Sequence, residues 1–328
     1  MEQRTLGRTG RDVSVIGLGT WQLGGSWGDV DPSKSLEVLD AAYEAGVTFF
    51  DTADVYGDGL SEQTIAQWRR ANPDADVFVA TKMIRRVGPE LEHATLENFR
   101  AWTDRSRKNL AVDTLDLVQL HCPAGEVYNS DRVFDDLDTL VAEGAIKNYA
   151  VSVETADEAL RAIARPGVAS VQIILNAFRR KPLDEVLPAA ADAGVGIIAR
   201  VPLASGLLSG RYTRETTFAE NDHRNFNRDG SAFDVGETFS GVDYETGVDA
   251  AQRFAELARG IGLEPATAAL AWIVQLPGVS TVIPGARTPE QARANAAAGS
   301  VAPLPQEFLD AVRDLYDERI RAQVHGRW

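Results

Sequence analysis

Cysteine, histidine and lysine are all scarce in this chain, with one, four and five copies among 328 residues. The lone Cys122 excludes an intrachain disulfide and a thiolate-rich zinc site, and the four scattered histidines lack metal-ligand spacing. A reducing cytoplasm and metal-free chemistry are the expectations. Long apolar runs are missing too. No stretch reaches the roughly 18 to 20 uncharged apolar residues of a membrane span, and the polar start Met1-Glu2-Gln3-Arg4 does not read as a signal peptide. Positive charge is in deficit, 33 basic against 48 acidic side chains, for a net charge of −15. That field repels nucleic acid and acidic membranes, because counterion release needs a basic face. An anionic ligand then binds only where arginines collect locally. Monomer and homo-oligomer both stay open.

What the chain has in quantity is alternation of short apolar runs with amphipathic helical periods, the sign of βα units around a parallel sheet. Strand-like runs lie at 15–19, 47–51, 77–82, 115–121, 146–152, 168–175, 196–201 and 280–283. Eight such units predict a single (β/α)₈ barrel over 1–328, a length that barrels reach as one domain. Before them, Arg4-Thr5-Leu6 and Val13-Ser14-Val15 flank a glycine turn and predict a hairpin plugging the barrel bottom. Residues 305–323 predict an extra helix outside the eightfold pattern. The stretch 203–247 has no clear period, carries six glycines and is far longer than a usual βα loop. It is expected to be a functional flap on the catalytic rim.

Three runs end in polar residues: Asp51 after Val47-Thr48-Phe49-Phe50, Lys82 after Val77 to Thr81, and His121 after Leu115 to Leu120, with Tyr56 one short loop beyond Asp51. Read singly, Asp51 is a strand-ending cap, His121 a satisfied core histidine and Tyr56 a surface aromatic. Lys82 is harder to dismiss in a chain with twenty-eight arginines, since it suggests a need for a compact ammonium. The C-terminal ends of barrel strands share one face, so the four side chains converge there. An ion pair, a phenol and an imidazole at one point make an acid catalyst. A phenol of pKa about 10 gives up its proton reluctantly. Lys82 beside Tyr56 eases that release, Asp51 holds Lys82 charged, and a neutral His121 donates to a carbonyl oxygen.

The order Asp51-Thr52-Ala53-Asp54-Val55-Tyr56-Gly57, Thr81-Lys82, Leu120-His121-Cys122-Pro123 and Ile283-Pro284-Gly285-Ala286 resembles the aldo-keto reductase superfamily over nearly the whole chain. The run Pro202-Leu203-Ala204-Ser205-Gly206-Leu207-Leu208-Ser209-Gly210 is similar to the branch holding bacterial reductases and potassium-channel β-subunits. The resemblance implies a TIM barrel and reduction of aldehyde or ketone carbonyls, with hydride from a reduced nicotinamide across the barrel mouth. It assigns Asp51, Tyr56, Lys82 and His121 as the catalytic tetrad.

Gly17-Leu18-Gly19-Thr20-Trp21-Gln22-Leu23 is no Gly-x-Gly-x-x-Gly, so the coenzyme is not held by a Rossmann turn. By resemblance, Thr20, Trp21 and Asp51 border it, and Ser152 and Gln172 bond the carboxamide, with Val153 standing where many relatives have asparagine. Arg200, Pro202, Leu203, Ala204, Ser205 and Gly206 match the pyrophosphate segment. Arg211, Arg224, Gly285, Arg287, Gln291 and Asn295 match its outer contacts, where the turn before Thr288 opens a helix that favours an anion. Arginines on the rim of an acidic protein favour NADPH over NADH.

Trp21, Trp27, Tyr56, His121 and Tyr128, with Phe178, are expected to line the mouth and suit a flat apolar carbonyl substrate. The substrate itself is not legible. A nucleotide-sensing accessory protein acting through a partner is the alternative reading, opposed by His121 and by a chain that begins almost at the hairpin. A non-redox barrel isomerase or lyase would need a phosphate site in the last loops and a carboxylate base.

Overall fold

Every strand-like run becomes a barrel strand, because alternating β-branched and apolar residues suit a sheet buried on both faces. The structure, a computed structural model, describes residues 1–24 and 31–328. A two-stranded antiparallel hairpin, β1 (Gln3–Thr5) and β2 (Asp12–Ser14), comes first. The barrel follows as β3 (Leu18–Gly19), β4 (Phe49–Asp51), β5 (Phe78–Met83), β6 (Leu117–His121), β7 (Tyr149–Ser152), β8 (Val168–Ile174), β9 (Gly196–Arg200) and β10 (Thr281–Val282), neighbours in chain order. Parallel bridges from Ile16 to Val282 and from Gly19 to Gly285 bring β3 beside β10 and all but close the ring.

Helices α1 (Pro32–Glu44), α2 (Leu60–Ala71), α3 (Leu96–Leu110), α4 (Asp131–Ala142), α5 (Ala156–Ile163) and α6 (Val186–Ala193) follow β3 to β8 in turn. Their starts are written locally. The Asp31 carboxylate accepts from the Ser33 amide ahead of Pro32, and Thr155 forms a capping box with Glu158. After β9 come α7 (His223–Phe226), α8 (Tyr244–Gly260) and α9 (Pro265–Val274), and α10 (Pro289–Ala297) follows β10. The expected extra helix is α11 (Gln306–Leu315), which passes through a π turn at Tyr316–Ile320 into α12 (Arg321–Val324). Among the described residues no single helix is long and apolar enough to cross a membrane.

The hairpin is the barrel's floor. Leu6 and Val13 join Phe49, Phe78, Leu117 and Ile198 in one buried cluster inside the ring. Arg8 fastens it, donating to the carbonyls of Arg165, Pro166 and Val168 at 2.8 to 3.0 Å and of Ala193 at 2.9 Å. Gly7 is required there: its φ is +47°, and a Cβ would lie 2.0 Å from the Gly196 nitrogen. With the floor closed, the chemistry is left to the opposite rim.

The segment 203–247 is more ordered than its lack of period suggests. It holds short helical turns at Ala204–Ser209, Val235–Glu237 and Phe239–Gly241 as well as α7.

Candidate active site

Adjacent strands carry three of the four converging residues: Asp51 ends β4, Lys82 lies on β5 and His121 ends β6, while Tyr56 lies in the turn after β4. Lys82 Nζ donates to an Asp51 carboxylate oxygen, to the Thr52 carbonyl at 2.8 Å and to the Tyr56 hydroxyl at 3.4 Å. Tyr56 and His121 rings meet edge to face with centroids 6.0 Å apart. Asp51 is held from its other side by two residues, since its Oδ2 accepts from the amides of Gln119 at 2.9 Å and Gln172 at 2.7 Å. Gln119 was not singled out from sequence. The signal was there, because it is the polar residue two before His121 on the same strand face.

Charge is distributed unevenly over the four. Burial works against the Lys82 ammonium, yet the Asp51 charge and the Tyr56 phenol hold it above its ordinary value. Burial, then the charges of Arg85, Lys82 and Arg200, push His121 well below the usual imidazole range, so the ring is neutral. Burial also raises the Tyr56 phenol, with Lys82 pulling the other way and Asp51 adding to the rise. Lys82 thus eases the proton off Tyr56 in the expected direction, and burial opposes it. Lys82 is shared with Asp51, to which its ammonium also donates.

Trp21 stacks on Tyr56 with centroids 6.0 Å apart and planes 19° apart, and meets His223 at 4.8 Å and Phe233 at 5.9 Å. Tyr56, Trp21, His121, His223 and Phe233 thus form one aromatic cluster. His223 and Phe233 come from the long segment, where nothing in the sequence pointed to them. Tyr128 and Phe178, expected to line the mouth, are packed in the core. Both are buried, Tyr128 donating to the Ser152 carbonyl at 3.3 Å and Phe178 sending its amide to Asn176. Trp27 lies outside the described residues.

The Aldo/keto reductase family profile matches residues 15–317. The chain is 31% identical over 302 residues to aldo-keto reductase YhdN of Bacillus subtilis, covering 90% of this chain and 87% of that one. It is 28% identical to a probable voltage-gated potassium channel subunit beta of Arabidopsis thaliana, covering 93% of each. This chain belongs to the aldo/keto reductase family. Among solved structures, the glycerol dehydrogenase AKR11B4 from Gluconobacter oxydans matches with a TM-score of 0.76 and 26% identity, over 96% of this chain and 94% of that one. An aldo-keto reductase from Klebsiella pneumoniae, solved in complex with NADPH, matches with a TM-score of 0.72 and 25% identity over 96% of each chain. Membership makes the protein a nicotinamide-dependent oxidoreductase of carbonyl groups.

Several positions expected to face the coenzyme are engaged by the protein's own residues. The Thr20 hydroxyl donates to the Asp51 carbonyl at 2.8 Å and accepts from Ser61 at 2.7 Å, which makes it a brace under the tetrad. Gln172 spends its amide hydrogens on Asp51 and on Gln119 at 3.0 Å. Ser152 is buried beside His121 in register, its Oγ 3.5 Å from Cys122 Sγ. Arg200 is not a free rim cation but a buried one, donating to the Val153 carbonyl at 3.0 Å and to Glu154 at 2.8 Å. Arg224 pairs with Asp222. Of the four rim arginines, Arg211 and Arg287 are exposed and without an ion pair among the described residues.

The segment after β9 is unusual in its backbone. Val201, Ala204 and Ser205 have φ of 51°, 48° and 55°, and Gly206 has 99°. Such strain persists only where the surroundings over-determine it, and it clusters at functional sites. Pro202 and Ala204 are buried and Leu203 is half-buried, while the Ser205 hydroxyl donates to the Glu237 carbonyl at 3.1 Å. Across the rim, Asn295 donates to the Gly285 carbonyl at 3.1 Å and Gln291 accepts from the Arg287 amide at 2.8 Å, which shapes the start of α10.

Proposed function

We propose that this protein catalyses NADPH-dependent reduction of aldehyde or ketone carbonyls to alcohols, with Tyr56 as general acid. The observation that carries the reading is the Tyr56, Lys82 and Asp51 chain beside a neutral His121. A protonated phenol and a neutral imidazole at one point are what a carbonyl oxygen needs as it gains negative charge. When bound, the coenzyme supplies the hydride.

The residues present fit that coenzyme. Arg211 and Arg287 leave two guanidinium groups available for phosphate, and α10 begins between Arg287 and Asn295. Tyr56 releases its proton to the oxygen, Lys82 stabilises the phenolate as it forms, and Asp51 keeps Lys82 in place with Gln119 and Gln172 behind it. His121 donates to the same oxygen. Trp21, Tyr56, His223 and Phe233 favour flat apolar substrates on this reading.

The test is the fall in reduced-nicotinamide absorbance on adding aromatic aldehydes, repeated with Tyr56→Phe. Turnover should drop by at least ~10² while NADPH binding, read by tryptophan quenching, stays near normal. Near-normal turnover in Tyr56→Phe would sink the mechanism.

A further inference from the structure

Four charges from four parts of the chain, Arg200 and Glu237 buried and Arg85 and Glu154 half-buried, meet beside the tetrad, and three of them had no signal in the sequence. Arg85 follows β5, Glu154 follows β7, Arg200 ends β9, and Glu237 is brought in by the long segment. Arg85 Nη2 donates to Glu237 at 2.7 Å and to Glu154 at 3.3 Å. Arg200 lies 2.8 Å from Glu154 and 3.9 Å from Glu237. Both arginines depress the His121 imidazolium.

The turn that carries Glu237 is also held from behind. Arg179 stacks on Trp328, its guanidinium carbon 3.7 Å from the ring centroid, and donates to the carbonyls of Glu154 at 3.2 Å and Ser240 at 3.4 Å. Trp328 Nε1 donates to Asp234 at 3.1 Å. Gly241 makes room for the indole, where a Cβ would lie 2.3 Å from a ring carbon. The same segment sets His223 and Phe233 on Trp21.

We propose that Glu237 is a positioning residue: it is the counter-ion by which the long segment seats on the catalytic centre, fixing Arg85 and Arg200 beside His121. The inference rests on the tetrad being that centre. Glu237, Glu154 and Cys122 also bring three potential metal-ligand atoms within 4.8 Å of one another. A cation site does not follow, because two guanidinium groups already hold both carboxylates, and burial with the Glu154 charge keeps the Cys122 thiol neutral, at about 12.

The cluster predicts a titration. Burial opposes the Glu237 charge, but Arg85 and Arg200 hold its carboxyl down at about 2. Burial, with the charge and hydrogen bond of Glu237, lifts Glu154 to about 7 against the pull of Arg200 and Arg85. The other groups facing the pair are Arg179 and Cys122, with Asp234, His121, Tyr56 and His223 farther out. Removing the Glu237 charge should therefore move the Glu154 titration acidward.

The experiment is Glu237→Gln and Glu237→Asp in the full chain, read by the carboxyl ¹³C shift of Glu154 against pH and by amide exchange over 233–241. In coenzyme-free Glu237→Gln, exchange should rise by about tenfold or more and the Glu154 midpoint should fall. Aspartate should restore both in part, and kcat should follow the same order. A merely structural residue would lower Tm and leave the Glu154 midpoint in place. Folded Glu237→Gln with wild-type exchange and an unmoved midpoint overturns the proposal. If that variant does not fold, Trp328→Ala decides by freeing the turn without touching the four charges. Faster exchange with an acidward midpoint supports the seat, and an unmoved midpoint overturns it. Neither readout needs turnover, so failure of Tyr56 as the acid would be seen separately.

Discussion

Lys82 shows how one residue's worth depends on its setting, because its ammonium is buried and partnered by Asp51, the Thr52 carbonyl and the Tyr56 hydroxyl. Removing one member of such a buried pair costs about 3 to 5 kcal/mol, since the other is left uncompensated. Lys82→Met should therefore lower both turnover and Tm, whereas Tyr56→Phe should lower turnover alone. Asp54 is the opposite case: it is buried, and neither carboxyl oxygen has a partner among the described residues. Burial and then the Glu62 charge raise it to about 7, with Arg86 and Arg105 pulling the other way. A carboxyl raised in the folded state binds more protons folded than unfolded between about pH 4 and 7, so stability falls as pH rises through that window. Asparagine stays neutral. Asp54→Asn should thus match the wild type near pH 4 and exceed it at pH 8, by at most about 4 kcal/mol for a shift of about three units. Denaturant unfolding at the two pH values reads this, and equal stabilities at pH 8 would show that the Asp54 charge carries no cost.

At the scale of elements, strand ends were legible and the turns after them were not. Phe49-Phe50-Asp51 and Leu117-Val118-Gln119-Leu120-His121 announce a buried strand and its polar end by composition alone. The chain then leaves β5, β6 and β9 through Ile84, Cys122 and Val201, whose φ values are 95°, 48° and 51°. Two of these are β-branched, which local rules forbid at positive φ. No propensity argument places them, because strain of this kind is set by the assembled site. The long segment is the extreme example, with Ala204, Ser205, Phe239 and Ser240 all left-handed. Glu237 looks like any surface glutamate until those turns are formed. The segment leaves the rim at the residues proposed to hold the coenzyme, so NADPH should slow amide exchange and proteolysis across 203–247 while a carbonyl substrate alone should not. Identical exchange with and without NADPH would make the segment static.

Taken as a whole, the molecule sets a long-range field against its own ligand. A net charge of −15 opposes an anionic dinucleotide, yet beyond about 8 Å that field is largely screened at physiological salt. Binding must then be decided by the few cations at the rim. Two of the four arginines first considered are engaged, Arg200 with Glu154 and Arg224 with Asp222, and a partnered guanidinium offers little to a phosphate. Arg287, exposed just before α10, is the one we propose distinguishes the coenzymes by a 2′-phosphate. Arg287→Ala should weaken NADPH binding by roughly 1.5 to 3 kcal/mol, the scale of a charge-assisted hydrogen bond, and leave NADH nearly unchanged. Titration of tryptophan fluorescence with each coenzyme, at low and physiological salt, measures the difference. The loss should persist at physiological salt, because contact pairs are screened less than the global field. Equal losses for both coenzymes would place Arg287 away from the 2′-phosphate and return the choice of coenzyme to Arg211.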